Sequence, residues 1–393
     1  MLPLAGITVV TLEHAIAAPF ATRQLADLGA RVIKIERPGV GDFARGYDQR
    51  VRGLSSHFVW TNRSKESLTL DVKHPEAQAV LMRLILEQAD VVVQNLAPGA
   101  AARLGLSYEA LSQVKPGIIV CDISGYGGDG PYRDKKAYDL LIQSEAGFLS
   151  VTGTPETPSK AGPSIADIAA GMYAYTNILA ALMQRGKTGQ GRHIDVSMLE
   201  SLAEWMGYPL YYAFDDGAPP PRTGASHATI YPYGPFPAGD GKSVMLGLQN
   251  ERVWGAFCAV VLQRPELAAD ERFSANFKRS AAREELRQII VDAFASLTAA
   301  QVVERLEEAS IANAQVNEMR DVWAHPQLAA RKRWQQIETP AGTVPALLPP
   351  GSSADSPPRM DPVPALGAHT EAILAGFGYS AQQIAELRSQ GTI

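Results

Sequence analysis

The chain has 393 residues, 46% hydrophobic and 20% charged, a composition that fits a globular protein large enough for two cores. Its net charge of −5 and the absence of a dense Lys/Arg run argue against a nucleic-acid binder. Cys121 and Cys258, the only cysteines, support neither a disulfide framework nor a zinc site and read as buried thiols of a reducing cytoplasm.

The first six residues lack the charged flank and long apolar core of a secretory signal. Residues 6–12 form a β-branched strand, 18–28 a helix stopped at Gly29, and 31–36 a second strand cut off by Arg37, Pro38 and Gly39. Residues 67–71 predict a strand, 75–88 a helix, 90–94 a strand, 108–114 a helix and 117–121 a strand. Such alternation predicts an α/β fold with a mostly parallel sheet covered on both faces. Ligands of these sheets bind beyond the carboxyl ends of the strands, here the loops 13–19, 37–45, 95–99 and 124–138.

Residues 162–182 read as an apolar helix with one carboxylate, Asp167, at its mouth. A turn at 187–191, a strand at 192–198 and an aromatic-rich helix follow. The segment 215–224, with three prolines and two glycines, reads as linker. A separate unit occupies about 225–320 and ends in helices near 283–295 and 299–309; the tail holds a loop, 349–364, and a helical finish, 369–389. The longest apolar run, 171–183, is interrupted by Thr176 and Asn177 and falls short of a membrane span. A cytoplasmic chain with no membrane partner is expected.

The first strand–turn–helix has no glycine between His14 and Pro19, so it lacks a dinucleotide fingerprint. The glycines of 125–130 mark a loop, and no two histidines stand at metal-ligand spacing, so no metal is expected. By position Asp167 is an N-cap more often than a catalyst. Against that, Ala170 three residues on precludes a capping box, and the helix is apolar on nearly every face, which predicts burial. A carboxylate at a dry cavity gains basicity and exposed nucleophilicity.

Several segments together resemble the family III CoA-transferases, the group of formyl-CoA:oxalate and carnitine CoA-transferases. They are residues 30–39, 70–73, 93–99, 103–106, 137–139, 162–171, 188–197 and 366–370, in family order over nearly the whole chain. The resemblance implies that Asp167 is the nucleophile. Its carboxylate attacks an acyl-CoA carbonyl to give a mixed anhydride and CoA thiolate. The thiolate then attacks the aspartyl carbonyl to give an enzyme-bound thioester, and the incoming acid reverses the steps. Water has to be excluded, and a helix N-terminus can stabilise the developing charge.

The resemblance also assigns the CoA site: Arg37, Lys73, Arg103 and Lys136 to phosphates or adenosine, and His14, Ile16, Ala17, Leu70, Asn95, Leu96, Tyr138 and Asp139 to cofactor contacts. Some relatives carry Gln where Ile16 stands, and the glycine tetrad loop of formyl-CoA transferase is missing. CoA thioesters are implied as substrates, with no tightly bound cofactor.

Residues 222–236 and 247–251 resemble a subgroup acting on short dicarboxylates of mesaconate, itaconate, citramalate and glutarate type. Arg222, Ser226, His227, Gln249 and Asn250 are the candidates for the second carboxylate. The expected reaction moves CoA from succinyl-CoA to a C4–C5 dicarboxylate such as itaconate or mesaconate, and a shift between two carboxylates of one substrate stays open. The alternatives are a 2-methylacyl-CoA racemase of the same superfamily and a non-catalytic CoA-binding protein. The racemase needs His-Asp where this chain has Tyr138-Asp139, and a tyrosine of pKa about 10 is a poor base. The resemblance further implies an interlocked homodimer. Its Rossmann-like large domain would span 1–200 and 325–393, with a linker at 201–224 and a smaller α+β domain at 225–324.

Overall fold

The computed structural model describes all 393 residues and divides into two compact units: Met1–Ala146 with Ala161–Met206 and Gln327–Ile393, and Gly147–Lys160 with Gly207–Pro326. In the first unit the chain runs β1 (Thr8–Leu12), α1 (Ala17–Asp27), β2 (Arg31–Glu36), β3 (Lys65–Thr69), α2 (Pro75–Gln88), β4 (Val91–Gln94), α3 (Tyr108–Val114) and β5 (Ile119–Ser124). It continues through α4 (Asp139–Glu145), α5 (Ile165–Thr188), β6 (His193–Ser197) and α6 (Met198–Trp205).

The strands form one parallel sheet in the order β3-β2-β1-β4-β5-β6. Strand order reverses between β1 and β4, and a doubly wound sheet opens its ligand crevice at that switch point. Both faces are covered, so the strands read as β-branched runs rather than alternating ones. On one face Val10, Ile33, Val92 and Val120 bury against Leu81, Leu84 and Ile85 of α2 and Leu111 of α3. Ile373, Leu374, Phe377 and Ile384 from the chain's end join the same core.

On the other face α1 and α5 meet through small side chains, with Ala17, Ala18 and Ala21 of one and Ala166, Ala170 and Ala174 of the other all buried. Gly171 makes the approach possible: a Cβ there would lie 2.7 Å from the Ala17 carbonyl oxygen.

Several boundaries differ from the sequence expectation. β3 starts at Lys65, two residues early, because the charges of Lys65 and Glu66 conceal a strand whose lysine is buried by ion pairing. β5 runs to Ser124, so Asp122 and Ile123 belong to the sheet rather than to a loop. The helical finish is two helices, Thr370–Gly376 and Ala381–Ser389, broken at Gly378 (φ +83°) and restarted by a capping box on Ser380.

α5 spans 24 residues and is the one helix long and apolar enough, by length and composition, to cross a membrane. Thr176 and Asn177 do not interrupt it, because their side chains donate back to the Met172 and Tyr173 carbonyls, each at 3.0 Å. Its packing on α1, α4, α6, β5 and β6 makes it a core helix. It is not covered all round, however: Thr176, Ala180 and Met183 are exposed.

The second unit carries an antiparallel sheet of Tyr233–Pro237, Ser243–Gly247 and Ala312–Gln315. Phe236, Leu246, Trp254, Phe257 and Phe294 lie in its core, and the helices Arg283–Phe294 and Ala299–Glu308 pack on the sheet. Residues 147–160 group here rather than with the sheet domain. Gly224 donates to the Gly153 carbonyl (2.7 Å), and Arg222 donates to those of Thr154 and Pro155. Residues 201–224 are not one linker: α6 runs to Trp205 and a further helix spans Gly207–Tyr212.

Candidate active site

The β1 turn is built on a buried ionic floor. Both oxygens of Glu13 are saturated, Oε1 by Lys65 (2.6 Å) and Lys34 (3.3 Å), Oε2 by the hydroxyls of Thr11 (2.9 Å) and Thr22 (2.6 Å). Burial alone would raise the Glu13 pKa, but the two ammonium groups outweigh it and hold it at about 2. Lys34 also donates to Asp42 (2.8 Å), whose other oxygen accepts the Ala44 N–H (2.9 Å) and the Ala15 N–H (3.1 Å).

Ala15 has φ +62°, a left-handed backbone disfavoured for a residue with a Cβ. Two clamps impose it. Asp42 takes its N–H, and the Asn95 side chain grips His14 on both backbone groups, accepting its N–H at 2.8 Å and donating to its carbonyl at 2.9 Å. These bonds tie the loops after β1 and β4 together across the switch point. Asn95, expected to touch cofactor, spends its amide on holding the β1 turn.

α5 brings Asp167 to this turn. Met172 Sδ lies 3.4 Å from the Gln24 amide of α1 and Gly171 lies against Ala17, so the two helices run side by side. Asp167, one turn before Gly171 on the same face, therefore projects toward the residues that precede Ala17. It is not the N-cap. That position is Ser164, which makes no side-chain cap bond.

The cap comes from α4, where Asp139 Oδ1 accepts the N–H of Ala166 (2.8 Å) and of Asp167 (3.4 Å). The nucleophile candidate's own carboxyl is left with no hydrogen-bond partner. Burial, followed by the charge of Asp139, pushes its pKa up to about 7.

An aromatic wall that the sequence reading missed completes the site. His14 stacks on Phe43 (5.3 Å), and Phe43 meets Tyr47 (5.7 Å). Burial and then the charges of Asp42, Asp167 and Tyr138 push the Tyr47 phenol up to about 12, so Tyr47 feels the carboxylate. The loop expected after β2, 37–45, contained Phe43, and nothing pointed to Tyr47.

Strand order sets the remaining candidates along the carboxyl edge of the sheet, with Lys73 following β3, Arg37 following β2, Arg103 following β4, and Lys136 and Tyr138 following β5. All four cations are exposed and none is in an ion pair, which leaves them available to an anionic ligand. Ile16, Ala17 and Leu70 are buried, Leu70 within the apolar core, so ligand contact there falls to the backbone; Leu96 is half-buried.

The five acid-binding candidates lie in the second unit. Arg222 is occupied by the two carbonyls named above. His227 Nδ1 accepts the N–H of Thr229 (3.2 Å) and Ile230 (3.0 Å) while its ring stacks on Tyr233 (5.2 Å), and Ser226 packs under Gly234. Nη1 of Arg222 and Nε2 of His227 take no part in these bonds. Gln249 and Asn250 line a cavity of about 410 Å³ with Tyr233, Met245 and Asn313.

The family model described as CoA-transferase family III matches residues 4–370. The chain is 35% identical to the succinate–glutarate CoA-transferase of Agrobacterium fabrum, covering 95% of each. It is 32% identical to the succinyl-CoA:mesaconate CoA-transferase of Haloarcula hispanica, covering 86% of each. Among solved structures, a CAIB/BAIF family protein from Brucella suis superposes with a TM-score of 0.83 at 33% identity, over 95% of this chain and 99% of that one.

Proposed function

The chain belongs to CoA-transferase family III, and from that premise we propose that it moves CoA from succinyl-CoA to a C4–C5 dicarboxylate through an aspartyl-CoA thioester on Asp167. The observation that carries this reading is the Asp167 carboxyl itself, at the mouth of a core helix, relieved of capping by Asp139 and bonded to nothing. A carboxylate whose basicity is raised is a better nucleophile toward a thioester carbonyl. Attack forms the C–O bond of a mixed anhydride and breaks the C–S bond. The thiolate next displaces succinate from the aspartyl carbonyl. The acceptor carboxylate then attacks that thioester, and the returning thiolate releases the new acyl-CoA and restores Asp167.

The names of the two relatives support succinyl-CoA as donor and glutarate or mesaconate as acceptors, and itaconate, an isomer of mesaconate, belongs to the same class. Incubation with succinyl-CoA and a panel of monocarboxylates and dicarboxylates, followed by mass spectrometry of the thioesters, tests this. Transfer confined to monocarboxylates would overturn the acceptor class.

The four unpaired cations suit the phosphates of CoA. Arg103→Ala and Lys73→Ala should each raise KM for succinyl-CoA about 3–10-fold, more at low salt, and leave kcat within twofold, because exposed charges contribute to binding in both ground and transition states. Equal losses in kcat would place these residues elsewhere in the reaction.

We also propose self-association as an interlocked dimer. Large apolar side chains stand exposed in the first unit (Tyr138, Leu140, Leu141, Met183, Trp205) and in the second (Tyr208, Leu210, Tyr211, Phe214), a surface that association would cover. Light scattering should return twice the mass of the chain at all dilutions that can be measured; a monomer at micromolar concentration would refute it.

A further inference from the structure

Gln143 lies on α4, is wholly buried, and has both ends of its amide engaged. Its Nε2 donates to Asp139 Oδ2 at 2.7 Å, one helical turn back, and its Oε1 accepts the Ala161 N–H at 2.9 Å from the strand of chain that leads into α5. Asp139 in turn uses its other oxygen on the first peptide groups of α5, including that of Asp167. A continuous set of bonds thus runs from Ala161 through Gln143 and Asp139 to the backbone of Asp167. The entering loop is fixed to α4 by the Gln143 amide and the helix start by Asp139, which that amide holds.

We propose that Gln143 is a positioning residue for acyl transfer: it orients Asp139 so that Asp139 caps α5 in place of Asp167, and so keeps the Asp167 carboxylate free and aimed at the thioester. This rests on Asp167 being the nucleophile.

The chemistry of the amide makes the role specific. Asp139 as a carboxylate needs a donor at Oδ2, whereas the Ala161 N–H needs an acceptor. Only a group that donates on one side and accepts on the other satisfies both. Glutamine does so at every pH. A carboxyl placed there does so only while protonated; once ionised it faces Asp139 with like charge and no proton. An apolar side chain of the same size does neither, and it leaves the half-buried Asp139 short of a partner. Without that partner Asp139 can rotate away from α5, and the vacated peptide groups recruit the nearest free carboxyl, which is that of Asp167.

The test uses single-turnover acylation by succinyl-CoA, read as mass added to the peptide containing residue 167, in Gln143→Leu and Gln143→Glu. Gln143→Leu should acylate about 10–100-fold more slowly, with KM for succinyl-CoA within twofold of the parent. Gln143→Glu should show a deficit of about tenfold or more at pH 8.5. That deficit, expressed as the ratio of parent to variant rate, should shrink to about threefold or less at pH 5.5 as the introduced carboxyl gains its proton.

A ratio that stays constant across this range, or a Gln143→Leu enzyme as fast as the parent, would overturn the proposal. Should Gln143→Leu fail to fold, the pH ratio of Gln143→Glu still decides. Asp167→Ala is run alongside: retained transfer in that variant rejects the nucleophile reading itself, whereas its loss together with fast Gln143 variants rejects only the positioning role.

Discussion

Asp167→Asn should lose about 10⁴-fold or more in transfer rate while remaining folded. The amide keeps the size of the side chain but supplies no nucleophilic oxygen, and no neighbouring carboxylate is free to replace it, since Asp139 is committed to the helix start and to Gln143. The measurement is incorporation of labelled acyl group into the peptide containing residue 167, alongside steady-state transfer.

The parent enzyme has its own pH signature. With a folded pKa of about 7, raised first by burial and then by Asp139, Asp167 loses its charge as pH falls through 7. The acylation rate should therefore rise from pH 5.5 and level off above about pH 8. The stability sign is the reverse. A carboxyl whose pKa is raised on folding binds its proton more tightly in the folded state, so above its unfolded value the ionised form costs stability. Asp167→Asn should consequently melt at the same temperature as the parent or higher at pH 8, which separates loss of chemistry from loss of fold. A variant that melts lower and is inactive would leave burial, not nucleophilicity, as the role of Asp167.

Glu13→Ala should be the most destabilising single change on the site side of the sheet, by about 3–5 kcal/mol. It removes the one carboxylate shared by Lys34 and Lys65, both fully buried, and leaves two ammonium groups with only Asp42, Asn62 and carbonyls between them. A useful comparison is Glu66→Ala, which breaks the half-exposed pair with Arg31 on the same strand as Lys65; the expected cost is about 0–1 kcal/mol.

The pH dependence has a definite sign. The folded pKa of Glu13 is about 2 against an ordinary 4.5, so its contribution is lost as pH falls from about 4.5 toward 2; burial lowers Lys65 to about 7, so its pairing with Glu13 also fades as pH rises through 7. Chemical denaturation of the parent and both variants at pH 7 and pH 3 checks this. Equal midpoints for Glu13→Ala and Glu66→Ala would show that the buried ionic floor contributes no more than a surface pair.

Much of the sheet domain was legible because its signals are local. The bounds of β2, α2 and α3 follow from β-branched runs, from Pro75 at a helix start and from Ser107, whose hydroxyl caps α3. The features that were not legible depend on partners far along the chain. Lys65 enters a strand only because Glu13, 52 residues away, neutralises it. Asn95 looked like a ligand contact because nothing in the sequence says that His14 will lie across the switch point from it. Asp139 looked like a companion of the nucleophile, and only the packed helices reveal that it is the cap. Arg222 and His227 fit the role by charge and donors, and the structure adds that Nε and Nη2 of the one and Nδ1 of the other already bond main-chain groups of their own unit. Residue type reports what a side chain can bond, not what will already have bonded it.

The contact of Gly171 with Ala17 has a consequence for how the site could vary. Because main chain meets main chain there, the reach of the reactive oxygen is gauged by two peptide backbones and is indifferent to which side chains decorate positions 14, 43 and 47. Those side chains can be exchanged while the gauge stays constant, so under the proposed function the wall beside Asp167 is free to drift without moving the carboxyl it faces.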